Sequence, residues 1–401
     1  MEICCVKINT KYSSLTAQDI ISINCIEKNL FNLGLNCNKI IATKNITSQL
    51  ANIFSEANED LIILLGSDDS KENQQIKSNF CNCFNLSLTD YYNELDIKGL
   101  PKEEYYFPEN SEFLLNNCSN LLQSFLIEFE NKSFLFLPND IDAIDYTFKY
   151  YISPMIIRKS KKIYNNFTYK TLGLSKLQIE NELKEILNAN QFIYKVNEEN
   201  LDANIMIRFQ DNLDNEIVNK ITSRTNEKFN KYIYSLEDCS IFKTACDLLN
   251  LSNNSISIAE NITMGNIIKN LSKYDIKKKI NSGIVFTDLN SILNNFNITP
   301  EIIDENPFEN VELIYEIATN MLEKNKTNIV LCSMGSISNN TENTYKAINL
   351  IAVGDIDGIH VYRNIFTGGY DSIIESVTKT AIFYLIKKIK RNDLLFSQST
   401  I

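Results

Sequence analysis

The chain has 401 residues, enough for two or three domains, and 44% of them are hydrophobic, which can fill ordinary protein cores. Its formal net charge is -11 and its isoelectric point is about 4.9. Basic runs such as RKSKK and KKIKR are short, so the bulk surface is not suited to electrostatic capture of nucleic acid. A single histidine, and cysteines without the spacing of zinc ligands, argue against a Cys/His zinc site.

The N-terminus and the cysteines bear on the cellular compartment. The opening MEICCVKINT contains Glu2 and no long apolar run, so we do not expect a signal peptide. No apolar run of the sequence reaches the length of a membrane span. We therefore expect a cytoplasmic protein whose thiols are reduced and mostly buried. The cysteines are Cys4, Cys5, Cys25, Cys37, Cys81, Cys83, Cys118, Cys239, Cys246 and Cys332.

Segments with strand and helix character alternate over residues 1–165, and this pattern indicates an α/β layer fold. MEICCVKI and NKIIAT indicate strands on either side of a helix near Ile20–Leu33, with Gly34 as its C-cap. DLIILLG is too apolar for a half-exposed strand and fits the middle of a parallel sheet. SFLIEF and SFLFLP follow as two further strands, which predicts a hairpin.

A smaller α+β unit is predicted for residues 166–239. SKLQ fits a capping box, with Ser175 as the N-cap and Gln178 three residues later, and its helix runs through Leu187. QFIYKV and ANIMIRF alternate as strands, and Ile205, Ile207 and Phe209 share one face of the second. NEIVNKITSRTNEKFNKYIYS then indicates another helix and a short strand.

The alternation of strands and helices returns over residues 240–401. The predicted strands are 255–259, 282–286, 327–332, 347–353 and 359–363. A closing helix from Asp371 to about Lys390 places one apolar stripe against the sheet, consisting of Ile373, Val377, Ala381, Leu385 and Ile389. His360 alternates with apolar neighbours on the last strand, and a structural position is its simpler interpretation.

The stretch SISIAENITMGNIIKNL changes from strand to helix periodicity at AENITMG. A helix N-terminus directly after a strand presents free backbone N–H groups and suits an anion. The turn contains one hydroxyl, Thr263, and one glycine, Gly265. Thr263 is either a substitute nucleophile or, more simply, an N-cap or first-turn hydroxyl that satisfies the orphan N–H groups.

AENITMG is similar to the turn AESCTGG of the CinA family, the competence/damage-inducible proteins, and the order of the segments resembles that family over nearly the whole chain. Four positions match, namely Ala259, Glu260, Thr263 and Gly265. The position of the family's serine nucleophile holds Asn261. A carboxamide cannot attack a substrate carboxamide as an alkoxide does.

The resemblance implies three domains. They are a molybdopterin-binding-like domain at 1–165, a small KH-like domain at 166–239 and a nicotinamide mononucleotide deamidase-like domain at 240–401. The expected fold is α/β, with two three-layer α/β/α domains that flank the small α+β domain. The resemblance also implies a bacterial, cytoplasmic homodimer, and for some members a metal-dependent ADP-ribose pyrophosphatase activity in the first domain.

The other deamidase motifs are changed. VFTDLNS replaces a motif like AYSNEAK, so Phe286 lacks the tyrosine hydroxyl and Ser291 replaces the lysine that acts as base. CSMGSISNNTENTYKA replaces a stretch like TGIAGPGGGTPEKPVG, in which only Thr341 clearly persists. Tyr370 in TGGYDS replaces the arginine of a GDR-type turn.

The motifs of the first domain are changed as well. KINTKYSS replaces GTELLLG, NLLQS replaces GTAPG, and LPNDIDA replaces LPGPPSE. LGSDDSKENQ replaces TGGLGPTxDD and contains Gly66. Its carboxylates could bind a divalent cation, but an acidic helix start is the simpler interpretation for Asp68, Asp69 and Glu72. A capped helix start is likewise the simpler interpretation for Asp140, Asp142 and Asp145.

We therefore expect a CinA-like protein that has lost both activities and acts as a binding or scaffold protein. The alternatives are an active nicotinamide mononucleotide amidohydrolase with a reworked site, and a nucleotide sensor. The candidate nucleotide contacts are Gly66, Gly265 and Thr341. No cofactor is expected beyond a divalent metal in the first domain. The expected partners are a nucleotide ligand and a second copy of the chain, with no membrane and no nucleic acid.

Overall fold

The computed structural model describes residues 1–9, 14–92, 99–116, 121–129, 131–160, 162–187, 191–296, 298, 306–341 and 344–398. The chain forms two compact units. The first comprises Met1–Asn166 with Arg208–Asn212, and the second comprises Phe167–Ile207 with Leu213–Ile401. Helices and sheets alternate in both, so the α/β fold class predicted from the sequence is confirmed. The domain limits at 165 and 239 stay a prediction.

The first part of the chain alternates strands with helices. Its strands are β1 (Ile3–Asn9), β2 (Lys39–Lys44), β3 (Leu61–Leu65), β4 (Leu88–Asp90), β5 (Tyr106–Pro108), β6 (Glu112–Leu114), β7 (Ser124–Phe129) and β8 (Lys132–Leu137). Its helices are α1 (Ala17–Asn32), α2 (Thr47–Glu56), α3 (Ser70–Phe84), α4 (Ile141–Thr147) and α5 (Ser153–Ser160). A 3₁₀ turn covers Lys102–Tyr105, and a π-helical segment, Phe148–Ile152, joins α4 to α5.

Six of these strands form one sheet in the order β2-β1-β3-β8-β7-β6. β3 lies between β1 and β8, is parallel to both and is buried throughout, which confirms the prediction for DLIILLG. β7 and β8 pair antiparallel, which confirms the pairing of SFLIEF with SFLFLP. Alternate residues of β1 and β3 enter two apolar cores, one shared with α1 and α4 and the other with α2 and α3. Helices therefore cover both faces of the sheet.

The rest of the chain has the following elements. Its strands are β9 (Tyr164–Leu172), β10 (Phe192–Glu199), β11 (Asp202–Gln210), β12 (Ile233–Ser235), β13 (Ile256–Glu260), β14 (Ile280–Val285), β15 (Ile329–Thr341), β16 (Thr344–Asp355) and β17 (Gly358–Gly368). Its helices are α6 (Lys176–Ile186), α7 (Asn215–Phe229), α8 (Ile241–Leu251), α9 (Asn266–Ser272), α10 (Leu289–Phe296), α11 (Val311–Asn325) and α12 (Tyr370–Gln398). A 3₁₀ turn, Pro307–Glu309, precedes α11.

A small sheet has the order β10-β11-β9-β12. The predicted capping box at the start of α6 is confirmed, because Ser175 and Gln178 each accept the backbone N–H of the other at 3.3 and 2.9 Å. Ile205, Ile207 and Phe209 of β11 are all buried. These elements are the small α+β arrangement that the sequence predicted for this part of the chain.

The last sheet has the order β14-β13-β15-β16-β17. β13 is parallel to both neighbours, whereas β15, β16 and β17 are antiparallel to one another. One apolar core lies between the sheet and α8, α9 and α12, and a second lies between the sheet and α10 and α11. The predicted stripe of α12 is confirmed, since all five of its apolar side chains are buried. This layering holds the end of β13 against the start of α9.

The described cysteines are free thiols, and most of them are buried. Burial raises the pKa of the Cys4, Cys81 and Cys83 thiols to about 11, with smaller contributions at the first two from nearby negative groups. Cys118 lies outside the described residues. Of the helices that the structure describes, none is both long and apolar enough to cross a membrane.

Candidate functional site

The strand-to-helix turn, residues 261–265, connects β13 to α9. Gly265 is the N-cap of α9 and has a φ of +86°. Met264 directly before it also has a positive φ, +49°. Glycine adopts this left-handed region freely, whereas a side chain there strains the backbone. The turn therefore keeps a backbone suited to the two glycines of AESCTGG, although Met264 occupies the first of these positions.

Glu260 satisfies the N-terminus of α9 from inside the protein. Its buried carboxylate accepts the backbone N–H groups of Ile267 and Ile268 at 3.1 and 3.0 Å. It also accepts a hydrogen bond from the Thr263 hydroxyl, which is itself buried. A carboxylate at this point complements the positive end of the helix dipole. The expected anion site is thus occupied by the protein's own side chain, and the N-cap is Gly265 rather than Thr263.

Asn261 is hydrogen-bonded to the neighbouring strand instead of facing a reacting group. Its carboxamide nitrogen donates to the Gly335 carbonyl at 3.0 Å, and its oxygen accepts the Gly335 N–H at 2.9 Å. Its backbone N–H donates to the Ser333 carbonyl at 3.1 Å. Gly335 has no room for a side chain, because a Cβ atom would collide with the Ile348 carbonyl oxygen. Both ends of the Asn261 carboxamide are therefore engaged in holding β13 to β15.

The other two deamidase positions near β14 are also committed to structure. Phe286 is buried and packs edge-to-face on Phe296, with ring centroids 5.9 Å apart. The Ser291 N–H and hydroxyl both donate to Asp288, at 2.8 and 3.2 Å. These hydrogen bonds, above all the one from the Ser291 N–H, hold the pKa of Asp288 below its ordinary value. Ser291 therefore supports the first turn of α10.

A surface pocket lies beside the strand-to-helix turn and has a volume of about 520 Å³. We call it the Asn261 pocket. It brings together three of the four positions that the sequence analysis marked as degenerate, whereas Ser291 is not among its described lining residues. The lining consists of Asn261, Ile262, Met264, Val285, Phe286, Thr287, Gly335, Ile337, Asn339, Tyr345 and Tyr370.

Tyr370 and Met264 close one side of the Asn261 pocket. The Tyr370 hydroxyl lies 3.6 Å from the Met264 sulfur, and its ring packs edge-to-face on Tyr345 with centroids 5.6 Å apart. Met264 is 65% exposed although it is apolar. The sequence analysis did not select Met264 or Tyr345. The methionine in place of the first glycine of AESCTGG was the feature of the sequence that could have identified Met264.

The segment CSMGSISNNTENTYKA forms a β-hairpin in place of a glycine-rich loop. β15 continues to Thr341 and β16 begins at Thr344, well beyond the strand ends predicted at 332 and 347. The Thr341 hydroxyl is exposed and lies 2.6 Å from the Thr344 hydroxyl. Thr341 is not among the described residues that line the Asn261 pocket. Thr341 therefore pairs across the hairpin, and its role as a nucleotide contact stays a prediction.

Comparisons with known proteins agree with the resemblance, although no family model matches the chain. A putative competence-damage inducible protein of Natranaerobius thermophilus is 24% identical over 377 residues, which are 92% of this chain and 88% of that protein. A protein of the same description from Alkaliphilus oremlandii is 24% identical over 301 residues, 73% of this chain and 72% of that protein.

This chain is therefore similar to CinA-like proteins over most of its length. Among solved structures, a CinA superfamily protein from Klebsiella pneumoniae is 17% identical and covers 38% of this chain and 96% of its own, with a TM-score of 0.34. A CinA protein from Thermoplasma acidophilum is 13% identical and covers 39% of this chain and 98% of its own, with a TM-score of 0.31.

In the first unit, the acidic residues of LGSDDSKENQ start a helix. Asp69 is the N-cap of α3 and accepts the N–H groups of Lys71 and Glu72, each at 2.9 Å. The Ser67 hydroxyl donates to Glu72 at 2.7 Å and to Asp68 at 3.3 Å. Within the described ranges, no three His, Cys, Asp or Glu side chains are grouped as a metal site. The sequence left two roles open for Asp69, a cation ligand or a helix start. The contacts of Asp69 are those of a helix start.

Gly66 is required for packing in the first unit. A Cβ atom at Gly66 would lie 2.5 Å from the Asn73 side-chain oxygen and 2.7 Å from the Phe136 ring. Asn73 is buried and bonds to both backbone groups of Ser67, at 2.7 and 3.0 Å. The absence of a side chain at Gly66 lets α3 approach the sheet. Its role as a nucleotide contact stays a prediction.

A buried polar network that the sequence analysis missed lies at the end of β1 in the same unit. The Lys7 ammonium is 3.0 Å from Asp19 and also donates to the Gly66 carbonyl. Asn139 donates to Asp19 at 2.9 Å. Burial alone would raise the pKa of Asp19, but its hydrogen bonds with Thr16 and Lys7 outweigh burial and lower that pKa. A lysine within the otherwise apolar ICCVKIN was the signal for this network.

Proposed function

We propose that this CinA-like protein is a non-catalytic binding protein. It binds a small ligand in the Asn261 pocket and does not deamidate nicotinamide mononucleotide or hydrolyse ADP-ribose. The observation that carries the proposal is the pair of hydrogen bonds between the Asn261 carboxamide and the carbonyl and N–H of Gly335, both 3.0 Å or shorter. Asn261, at the position of the family's nucleophile, therefore stabilises the sheet.

Thr263 and Ser291, two hydroxyls that could replace a serine nucleophile, are committed elsewhere. Thr263 is buried and donates to the Glu260 carboxylate, so a substrate in the pocket does not reach its oxygen. Ser291 bonds to Asp288 and carries no basic group. A nucleophile needs an adjacent base and access to the substrate carbonyl, and neither residue has both. These contacts support the loss of deamidase chemistry.

The pocket itself supports retention of binding. Its volume of about 520 Å³ falls within the range of small-molecule sites, about 300–1,000 Å³. What sets this pocket apart is its position beside the strand-to-helix turn, with Asn261, Phe286 and Tyr370 in its lining. The homodimer and the cytoplasmic location implied by the resemblance stay predictions, which sedimentation and fractionation test directly.

Turnover assays on the full chain test the proposal. We expect no ammonia above the no-enzyme control from nicotinamide mononucleotide. We also expect no AMP from ADP-ribose with magnesium, manganese or cobalt present. Loss of a nucleophile and base that act as a unit lowers kcat by several orders of magnitude, so the assay needs high enzyme concentration and long incubation.

A pair of threonine variants identifies the source of any ammonia that is detected. Thr263→Val removes the one hydroxyl of the strand-to-helix turn, and Thr287→Val removes a hydroxyl from the pocket lining as the matched control. Ammonia release that Thr263→Val abolishes and Thr287→Val preserves would refute the proposal and establish an amidohydrolase with Thr263 as nucleophile. Release that Thr287→Val alone abolishes would refute the proposal equally, with Thr287 beside Asp288 as the nucleophile. Release that both variants preserve would indicate a contaminating enzyme.

A further inference from the structure

The Asn261 pocket is aromatic. Three rings face it, those of Phe286, Tyr345 and Tyr370, together with the Met264 thioether. Tyr345 and Tyr370 already meet edge-to-face, with centroids 5.6 Å apart. Aromatic faces and thioethers make favourable contacts with a further planar ring. The lining is therefore complementary to a flat, apolar group.

The pocket offers no positive charge to an anionic ligand. None of the described residues that line it has a charged side chain. Among the described contacts of the lining side chains, the charged partner is a carboxylate, because the Thr287 hydroxyl is 3.3 Å from Asp288. The positive end of α9 is already neutralised by Glu260. A phosphate group would meet repulsion here without a compensating cation.

The Tyr370 hydroxyl is a polar group of the lining that can orient a ligand. The Tyr370 hydroxyl contacts the Met264 sulfur at 3.6 Å, and a thioether is a weak acceptor. A ring nitrogen or carbonyl would accept the same proton more strongly. The Asn261 carboxamide does not compete for this role, because Gly335 engages both of its ends.

We propose that the Asn261 pocket binds an uncharged heteroaromatic ring that carries a hydrogen-bond acceptor, and that it discriminates against the phosphorylated form of the same molecule. This ligand class rests on the proposed binding function of the pocket. The ring lies against Tyr345 and Tyr370, displaces the Met264 side chain from the mouth and accepts a hydrogen bond from the Tyr370 hydroxyl.

Methyl NMR of the full chain, labelled at the methionine methyl groups, tests the ligand class. The sequence has only 6 methionines, and Met264→Leu assigns the resonance of the one at the pocket mouth. Adenosine and AMP are the matched probes, since they share a ring and differ by the phosphate. We expect saturable shifts of the Met264 resonance with adenosine. We expect AMP to bind about fivefold or more weakly at low salt, because of repulsion by the Asp288 carboxylate.

Leucine variants locate the ring. Tyr370→Leu should weaken adenosine binding about tenfold, the size of one base–aromatic contact. Tyr315→Leu is the matched control, because Tyr315 is a half-exposed tyrosine of α11 outside the pocket lining, and its affinity should be unchanged. Equal losses in both variants would contradict the location.

Two other outcomes would overturn the ligand class. They are AMP binding as tightly as adenosine or more tightly, and the absence of a saturable Met264 shift up to about 10 mM adenosine, the scale of negligible affinity. These results are separable from failure of the proposed function, which ammonia or AMP production would show independently of binding. Without turnover and without a shift, only the ligand class fails.

Discussion

The positive φ of Met264 leads to a pair of substitutions with different expected stabilities. Met264→Gly and Met264→Ala both remove the side chain from the pocket mouth. Only glycine also releases the strain of a Cβ atom at a φ of +49°. We expect the glycine variant to be the more stable of the two, which reverses the usual order of alanine and glycine.

The structure gives the size of each contribution. Met264 is 65% exposed, so about a third of its side chain is buried. Either variant therefore loses about a third of the free energy of burying a whole methionine side chain, about 0.5–1 kcal/mol. A left-handed backbone costs a residue with a Cβ about 1–2 kcal/mol, and the extra chain freedom of glycine costs about 0.5–1 kcal/mol. The free energy of unfolding should therefore be about 0.5–1 kcal/mol higher for Met264→Gly than for Met264→Ala. The glycine variant should lie close to the parent.

Equilibrium urea unfolding measures this difference. The methyl resonances of the buried Met321 and Met334 report on the part of the chain that contains the turn. Ser223, an exposed residue within α7, gives the control pair, since in a helix Ser223→Gly should be about 1 kcal/mol less stable than Ser223→Ala. If Met264→Ala were as stable as Met264→Gly while the control pair behaved normally, the left-handed turn would be refuted.

Three further changes probe the hydrogen bonds of the two units. Asn261→Ser should yield no ammonia from nicotinamide mononucleotide, and restored turnover would contradict this. The same variant should lower the free energy of unfolding in urea by about 1–3 kcal/mol, because serine cannot bond to both the carbonyl and the N–H of Gly335. Asp19 has a lowered folded-state pKa, so its stabilisation is present above an unfolded pKa of about 3.9 and is lost as pH falls through the folded value. Asp19→Asn leaves the buried Lys7 without its counter-charge, so it should lower stability at neutral pH and reduce the loss of stability as the pH falls below about 4. Unchanged unfolding curves would oppose this assignment. Glu260→Ala should be destabilised and then partly rescued by acetate, measured against chloride at equal ionic strength, while the parent shows no difference.

The elements that the sequence predicted are those whose cause is local. Five apolar residues in succession placed β3 at the centre of its sheet, and the spacing of Ser175 and Gln178 placed the start of α6. The stripe of α12 followed from helical periodicity. Each of these patterns is contained within one segment, so the fold class and most elements could be obtained without knowing any partner in space.

The contacts that decide the site join segments far apart in the sequence. The Asn261 carboxamide bonds to Gly335, which lies 74 residues away. The sequence AENITMG does not show whether the Asn261 carboxamide bonds to a neighbouring strand or faces a ligand. The extension of β15 and β16 was missed for a related reason, since Ser, Asn and Thr are typical of loops and the hairpin is held by its register.

Met264 connects the stability of the turn with the use of the pocket. The requirements of the fold alone would favour glycine at a φ of +49°, because the backbone there gains nothing from a side chain. The methionine instead places an exposed thioether against the Tyr370 hydroxyl, at the mouth of the Asn261 pocket. Strained residues persist where the side chain serves something other than stability, and such positions cluster at ligand sites. The strained backbone and the exposed thioether at this mouth therefore support the proposal that the Asn261 pocket binds a ligand, and the paired Met264→Gly and Met264→Ala variants separate the backbone contribution from that of the side chain.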